Sequence, residues 1–461
     1  MQFPRNTLAC VATLTFVLSH SSAQPAAATA VTPGLSAVTS GSSAEPVSLL
    51  AQRASPPGEP VARPFPQHVV YAAGVNKPDH IGQDRMDDSV RSFYTAWKRR
   101  YIRSGCVKGQ YYIWFEGQDA RKQCVSEGQG YGMVIVAMMA GYDPSARKIY
   151  DGLLLYARAH PSKAAPELMA WAQKKDCRDI DGSTATDGDM DIAWSLLLAH
   201  EQWGEKGEVH YLEQARNMIA AIRKQEINQK SLSVLLSNSV EHDSRDYSDM
   251  RSSDFMPSHF RAFAEFSGDR SWDKVSDNNY RLFRYMQERY SPGAGLVPDF
   301  IRHIVLGDGR GERAMAAGDV SAVPAQPHYL EARYDGAYNF NACRVPWRVG
   351  LDYILYGDKR SAAFVEKINH WIRSTTQDDP DNISAGYSLA GEDLKNRYYE
   401  ALCFSSSFAV SAMVGKENQA WLNKLWDYIV HFRLAGFDYY DNSIKMIHLI
   451  ILSGNYWSPR I

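Results

Sequence analysis

The sequence predicts an all-α fold of helical hairpins, and three observations carry that prediction. Apolar residues recur at helical spacing along most of the chain after residue 85, segments apolar on every side lie between these stretches, and short turns join the two kinds. Val90, Phe93, Trp97 and Tyr101 form one stripe, and Leu212, Ala215, Ile219 and Ile222 another. Leu422, Leu425, Ile429 and Phe432 form a third. Residues 133–140 (MVIVAMMA), residues 192–199 and the surroundings of Ile354 are apolar all round, as helices enclosed by other helices must be. The turns Gly204-Glu205-Lys206-Gly207 and Gly357-Asp358-Lys359 join an enclosed helix to a half-exposed one, and such hairpins have to bury a common face. If the hairpins close into a ring, the enclosed helices line its inside, point the same way, and bring their N-termini together at one end. Short strand-like runs at residues 111–115 and 296–300 are expected in the loops.

From the N-terminus, residues 1–23 combine Arg5, an apolar stretch over residues 8–18 and a small-residue cleavage signal, Ser21-Ser22-Ala23, so they read as a signal peptide of a secreted protein. Residues 24–66, rich in Ala, Pro and Ser, read as a disordered linker, which leaves residues 67–461 for the folded domain. A formal net charge of -2 with no basic run points to neither nucleic acid nor an anionic membrane as a partner. With the leader removed, Cys106, Cys124, Cys177, Cys343 and Cys403 remain, an odd number that leaves at least one thiol free. Cys106 with Cys124 would close a hairpin-sized loop before Glu127; buried unpaired cysteines are the alternative. No Cys or His cluster has metal-ligand spacing, so neither a metal nor a cofactor is expected.

Two acidic motifs stand where enclosed helices begin. In residues 126–133 (SEGQGYGM), Ser126 and Gln129 have the spacing of a capping box, placing Glu127 at the mouth of an apolar helix that Gly141 would stop. A carboxyl group with an apolar wall behind it loses hydration, which disfavours its charged form and raises its pKa. Residues 185–191 (ATDGDMD) place Asp187, Asp189 and Asp191 ahead of a second such helix. The alternation invites a calcium-loop reading, but the terminal Glu is missing and the apolar helix arrives too soon. Capping explains some of these acids. One that faces Glu127 does more, because a nearby carboxylate helps the acid keep its proton. Trp171, shortly before this motif in a stretch broken by charged residues, is the favoured stacking platform.

Together with residues 338–348 (YNFNACRVPWR), these motifs resemble the signature segments of glycoside hydrolase family 8. Further matching stretches are LMAW from Leu168, SSDFMPSHFRAF from Ser252, GLVPDF from Gly295 and DNSIKMIHLIILSGNYWSP from Asp441, so the resemblance runs from about residue 94 to 459. It implies an (α/α)6 barrel, an inverting mechanism and endo-hydrolysis of β-1,4-linked glycans such as cellulose, mixed-linkage glucan, xylan or chitosan. A polysaccharide is then the partner, and a monomer is expected. The resemblance puts Glu127 in the place of the general acid and Asp187 in that of the acid holding the sugar at the cleavage point. Trp171, Asn341 and Arg344 fall on substrate-contacting positions. One branch of the family has an aspartate base where this chain has Asn341, which accepts no proton near neutral pH. Another branch, similar to bacterial chitosanases and lichenases, also carries Asn there and takes its base from a glutamate in the preceding loop. Glu331 offers that residue here, with Asp335 in reserve.

Glycosidic cleavage by inversion needs one carboxylic acid and one carboxylate, roughly 6.5–9.5 Å apart so that a water fits between them. The rival reading is a secreted glycan-binding protein on the same barrel that has lost hydrolysis, which Asn341 keeps open until a base is identified. Elimination on uronates ranks last, because it calls for a basic cleft and these motifs are acidic.

Overall fold

The computed structural model describes residues 61–117, 119–307, 319–395, 401–434 and 438–460. The leader and most of the expected linker lie outside the described residues. Residues 61–66, counted above as linker, are packed instead. Phe65 is buried, its N–H donates to Ala140 O at 2.7 Å, and the Ala62 N–H donates to Gln202 O at 3.1 Å. One large apolar side chain with a receptive wall is enough to order a segment whose composition looks like tail.

Twelve α-helices among the described residues form two concentric rings. The inner ring is α2 (Ser126–Met138), α4 (Thr186–Trp203), α6 (Pro257–Ser267), α8 (Val345–Tyr356), α10 (Leu402–Ala412) and α12 (Tyr439–Leu452). Each touches the next, and α12 returns to α2, so the ring is closed. The outer ring is α1 (Gln83–Tyr101), α3 (Ala146–Ala159), α5 (Tyr211–Gln225), α7 (Ser271–Tyr290), α9 (Lys359–Thr376) and α11 (Gln419–His431), each packed on an inner partner. This is the (α/α)6 barrel. Its sequence cause is visible in the burial. Every residue of α2 except Glu127 is buried, whereas α5 buries the stripe Ala215, Met218, Ile219 and Ile222 and exposes its charged face. In α10 the Ser406 hydroxyl donates to Leu402 O, and the Ser411 hydroxyl to Asn369 Oδ1 of α9 at 2.7 Å.

Glycines set how closely α2 and α4 cross. A Cβ on Gly188 would stand 2.6 Å from Ser126 C and 2.7 Å from Glu127 N, and one on Gly130 would stand 2.8 Å from Asp191 Cβ. The two backbones are therefore in direct contact. That contact also removes the expected capping box. Val125 is the N-cap, no side chain caps α2, and the Ser126 hydroxyl is pressed towards Gly188. Gln129 reaches sideways instead, donating to Leu153 O at 2.8 Å and accepting from Ile113 N at 3.1 Å.

Short antiparallel strands decorate one end of the barrel. β1 (Ile102–Ser104) pairs with β2 (Tyr111–Ile113), and β3 (Lys122–Val125) with β4 (Ala172–Lys174). β5 (Met250–Arg251), β6 (Phe300–Leu306) and β7 (Val320–Pro324) form a three-stranded sheet. The run predicted at 111–115 is thus largely a strand, but the one predicted at 296–300 starts only at Phe300. Before it, Leu296 N bonds the Ser291 hydroxyl and Asp299 N bonds Ala337 O, so these groups are taken before any ladder forms.

The disulfide joins Cys106 to Cys177, not to Cys124, across a Cα separation of 6.3 Å. Cys124 lies in β3, whose residues are all buried, while the β3–β4 pairing carries the following loop and Cys177 back to Cys106. Cys124, Cys343 and Cys403 are free and buried. No described helix is long and apolar enough to cross a membrane.

Candidate active site

The N-termini of the inner helices meet at one end, as closure of the ring requires. There a cavity of about 1130 Å³, open to solvent, is lined by Glu127, Asp187, Glu331, Asn341, Arg344 and Tyr439. A second lobe of about 820 Å³, lined by hydroxyl-bearing residues including Ser237 and Ser239, shares Trp171, Ala185, Arg251 and Glu331 with the first. Together they form one groove, with an aromatic arm and a hydroxyl-lined arm.

The inner-helix wall separates two neighbouring carboxyl groups into opposite charge states. Glu127, in the first turn of α2, accepts from Arg344 Nη1 at 2.7 Å on Oε2 and from the Tyr439 hydroxyl at 2.8 Å on Oε1. Burial pushes it up to about 7, and the charge of Asp187 adds to this, against the pull of Arg344 and the Tyr439 hydrogen bond. Asp187 accepts from the same Arg344 Nη1 at 2.7 Å and from Gly188 N at 2.9 Å. Burial works against its charge too, yet Arg344 and Arg251 overcome that and hold it below the usual carboxylate range. Two carboxyls whose environments push their pKa values apart are what acid catalysis near neutral pH requires. Arg344 is itself oriented by Asn341, whose Oδ1 accepts from Nη2 at 2.9 Å.

None of the three aspartates of the second motif serves as the N-cap of α4; that residue is Ala185. Asp189 accepts from Met169 N at 2.9 Å and is pushed up to about 7 by burial; the nearby buried Glu226 is likewise raised, by burial first and then by Asp189. Asp191 forms a buried pair with Arg348, at 2.9 and 2.5 Å, and meets His259 Nε2 at 3.0 Å. Against burial, these partners hold it down to about 2. Only Asp187 lines the groove.

Glu331, on a loop, also lines the groove. Its Oε1 accepts from Arg251 Nη2 at 2.7 Å and its Oε2 from Asn341 Nδ2 at 2.8 Å. Asp335, the reserve candidate, has its carboxylate turned into that loop, where it accepts from the N–H groups of Leu330, Glu331 and Ala332 at 2.7, 3.0 and 2.7 Å. It lines neither lobe. The Tyr329 hydroxyl donates to Asp249 at 2.9 Å and ties down the other end of the loop. Asp299 organises the Asn341 segment in the same way, accepting from the N–H groups of Asn339, Asn341 and Ala342.

Trp171 borders both lobes but is only 8% exposed. Its indole N–H donates to Asp181 at 2.9 Å, and Lys122 Nζ lies 4.5 Å from the ring centroid. It offers an edge, not an open platform. Sequence reasoning did not single out Arg251, Tyr439, Lys122 or Phe115, all of which line the groove. Arg251 directly precedes the SSDFMPSHFRAF stretch and Tyr439 lies just ahead of DNSIKMIHLIILSGNYWSP, so adjacency to a motif was the available signal. Among the described residues no three or more His, Cys, Asp and Glu side chains are grouped to hold a metal ion.

A closed double ring of helices with a carboxyl-lined groove at its N-terminal end defines the site of a glycan-cleaving hydrolase. The chain belongs to glycosyl hydrolases family 8, whose sequence profile matches residues 89–318. It is 38% identical to a beta-glucanase of Niallia circulans over 86% of this chain and 91% of that protein. It is 37% identical to an endoglucanase of Bacillus sp. strain KSM-330, over 86% of this chain and 82% of that one. The solved beta-1,3-1,4-glucanase from Paenibacillus sp. X4 superposes with a TM-score of 0.79 at 37% identity, covering 86% of this chain and 99% of that chain. A cold-adapted family 8 xylanase, 19% identical with a TM-score of 0.68, shares the fold over 88% of this chain and 99% of that one.

Proposed function

We propose that this glycoside hydrolase is a secreted, endo-acting, inverting β-glucanase, with mixed-linkage and β-1,4-linked glucans as substrates. Glu127 is the general acid, Glu331 the general base, and Asp187 grips and distorts the sugar at the cleavage point. Trp171, Asn341 and Arg344 contact the bound chain. The observation that carries this reading is the division of labour across one groove. Glu127 is raised to about 7 on one wall, and Glu331 on the other is held between a guanidinium and an amide donor. Protonated Glu127 gives its proton to the leaving glycosidic oxygen while Glu331 takes one from the attacking water, and a single displacement inverts the anomeric carbon. The Tyr439 hydroxyl, which donates to ionised Glu127, can turn and accept from the protonated form.

A neutral glucan is favoured over polycationic chitosan by the glucanase names of the similar proteins. Secretion rests on the leader pattern of residues 1–23. The test is reducing-sugar release from barley glucan, carboxymethyl cellulose and chitosan, with NMR of the first product. Release from a glucan with the α-anomer appearing first is expected. A β-anomer first would overturn inversion, and glucan binding without release of ends would establish the non-hydrolysing alternative.

A further inference from the structure

We infer that Arg251 is a positioning residue for the proposed general base: a guanidinium seated on Asp254 that keeps the Glu331 carboxylate turned into the groove. This rests on the assignment of Glu331 as the base. Glu127 and Asp187 ride on inner helices, but Glu331 sits on a loop, and a glutamate there has several rotatable bonds to restrain before its oxygen can meet a water in one orientation. Arg251 supplies that restraint from a fixed place. It lies in β5, paired with Phe300 of β6, and its guanidinium is packed 5.3 Å from the Phe300 ring centroid. Nη2 donates to Glu331 Oε1 at 2.7 Å, while Nη1 lies 3.8 Å from Asp254 Oδ2. Asp254 is fully buried, and that oxygen has no hydrogen-bond partner among the described residues. The Phe300 ring and the hydrogen bond to Glu331 hold the guanidinium in place, and Asp254, pushed up to about 8 by burial, packs beneath it without a full charge. Arg251 stands where the two lobes join, so it is beside the reaction and not behind it. Arg344 hydrogen-bonds Glu127 and Asp187, and Arg251 hydrogen-bonds Glu331, while the charge of Arg251 also reaches Asp187.

The experiment uses the full-length enzyme with soluble barley glucan as substrate and compares Arg251→Met, Arg251→Lys and Glu331→Gly, each with and without sodium azide. Arg251→Met is expected to lower kcat about 100-fold with KM within about threefold, because the base is lost as a reacting group while ground-state binding persists. Arg251→Lys loses about tenfold, since a point charge replaces a planar fork. Azide restores turnover to Glu331→Gly and not to Arg251→Met. A near-normal kcat in Arg251→Met or a loss confined to KM would each overturn the inference. If Arg251→Met does not fold, Arg251→Lys is judged by the same kcat and KM criteria. Normal turnover by Glu331→Gly without azide refutes the base assignment itself. Azide rescue of Glu331→Gly beside a wild-type-like Arg251→Met refutes only the role of Arg251.

Discussion

The two walls of the groove are built by different means. Glu127 and Asp187 stand on the first turns of α2 and α4, two inner helices whose backbones touch through Gly130 and Gly188, so their separation is fixed by core packing. Glu331 stands on a loop whose shape comes from carboxylates outside the groove: Asp335 gathers three backbone N–H groups, and Asp249 holds Tyr329. One wall is rigid because it belongs to the barrel. The other is rigid because buried acids satisfy its backbone. The first can be unsettled only by changes that disturb the core, the second by loss of a few hydrogen bonds.

The largest expected effect is on the chemistry itself. Glu127→Gln keeps the shape of the acid and removes its proton, so kcat on barley glucan should fall about 10³-fold. Affinity electrophoresis in a glucan gel should still show binding, and wild-type-like turnover would refute the assignment. Next comes the loop wall. Asp335→Asn should cost about 1–3 kcal/mol, read in a denaturant titration, because three N–H groups lose a charged acceptor. Its activity should fall at least tenfold, with azide giving no rescue. Activity restored by azide would move the base to Asp335 and reverse the comparison. On the helix wall, Gly188→Ala places a Cβ 2.6 Å from the Ser126 carbonyl carbon. Overpacking of about 1–3 kcal/mol should follow, with a lowered melting temperature; unchanged stability would mean the two helices are not locked together.

The smaller effects lie in the pH dependence. Glu127 must be protonated to act, and its value of about 7 places the alkaline limb of kcat/KM near pH 7. The Tyr439 hydrogen bond favours the charged form, so Tyr439→Phe should move that limb upward, by less than one unit. A downward move would contradict the site's electrostatics. Asp189 gives the smallest effect. Its folded value of about 7 lies above its unfolded one, so the folded protein binds more protons, and stability falls as pH rises from the carboxylate range towards 7. Asp189→Asn removes that contribution, and the loss of melting temperature between pH 5 and 8 should shrink.

Legibility in the sequence followed the same division. The helix wall was readable because Glu127 and Asp187 each precede an apolar run, and a helix start is a local feature. The partners of Asp189 and Asp191 were not readable, since Met169 N, His259 and Arg348 come from other segments. Cys177 was missed as the partner of Cys106 because the β3–β4 pairing, not loop length, brings it there. The capping box failed for a related reason: packing on α4 makes Val125 the N-cap and leaves the Ser126 hydroxyl in the helix contact, and Gln129 is committed to Ile113 and Leu153.

What the sequence by itself determined is the alternation of enclosed and amphipathic helices and, through the family resemblance, the ring in which they close. Hydrophobic periodicity acts within a single helix and needs no knowledge of partners. What only the tertiary structure decided is the loop wall: the facing of Glu331 into the groove, the turning of Asp335 away from it, and the seating of Arg251 between Glu331 and Asp254. Those outcomes depend on hydrogen bonds and charges between residues up to 80 positions apart, whose meeting is set by the packing of the barrel.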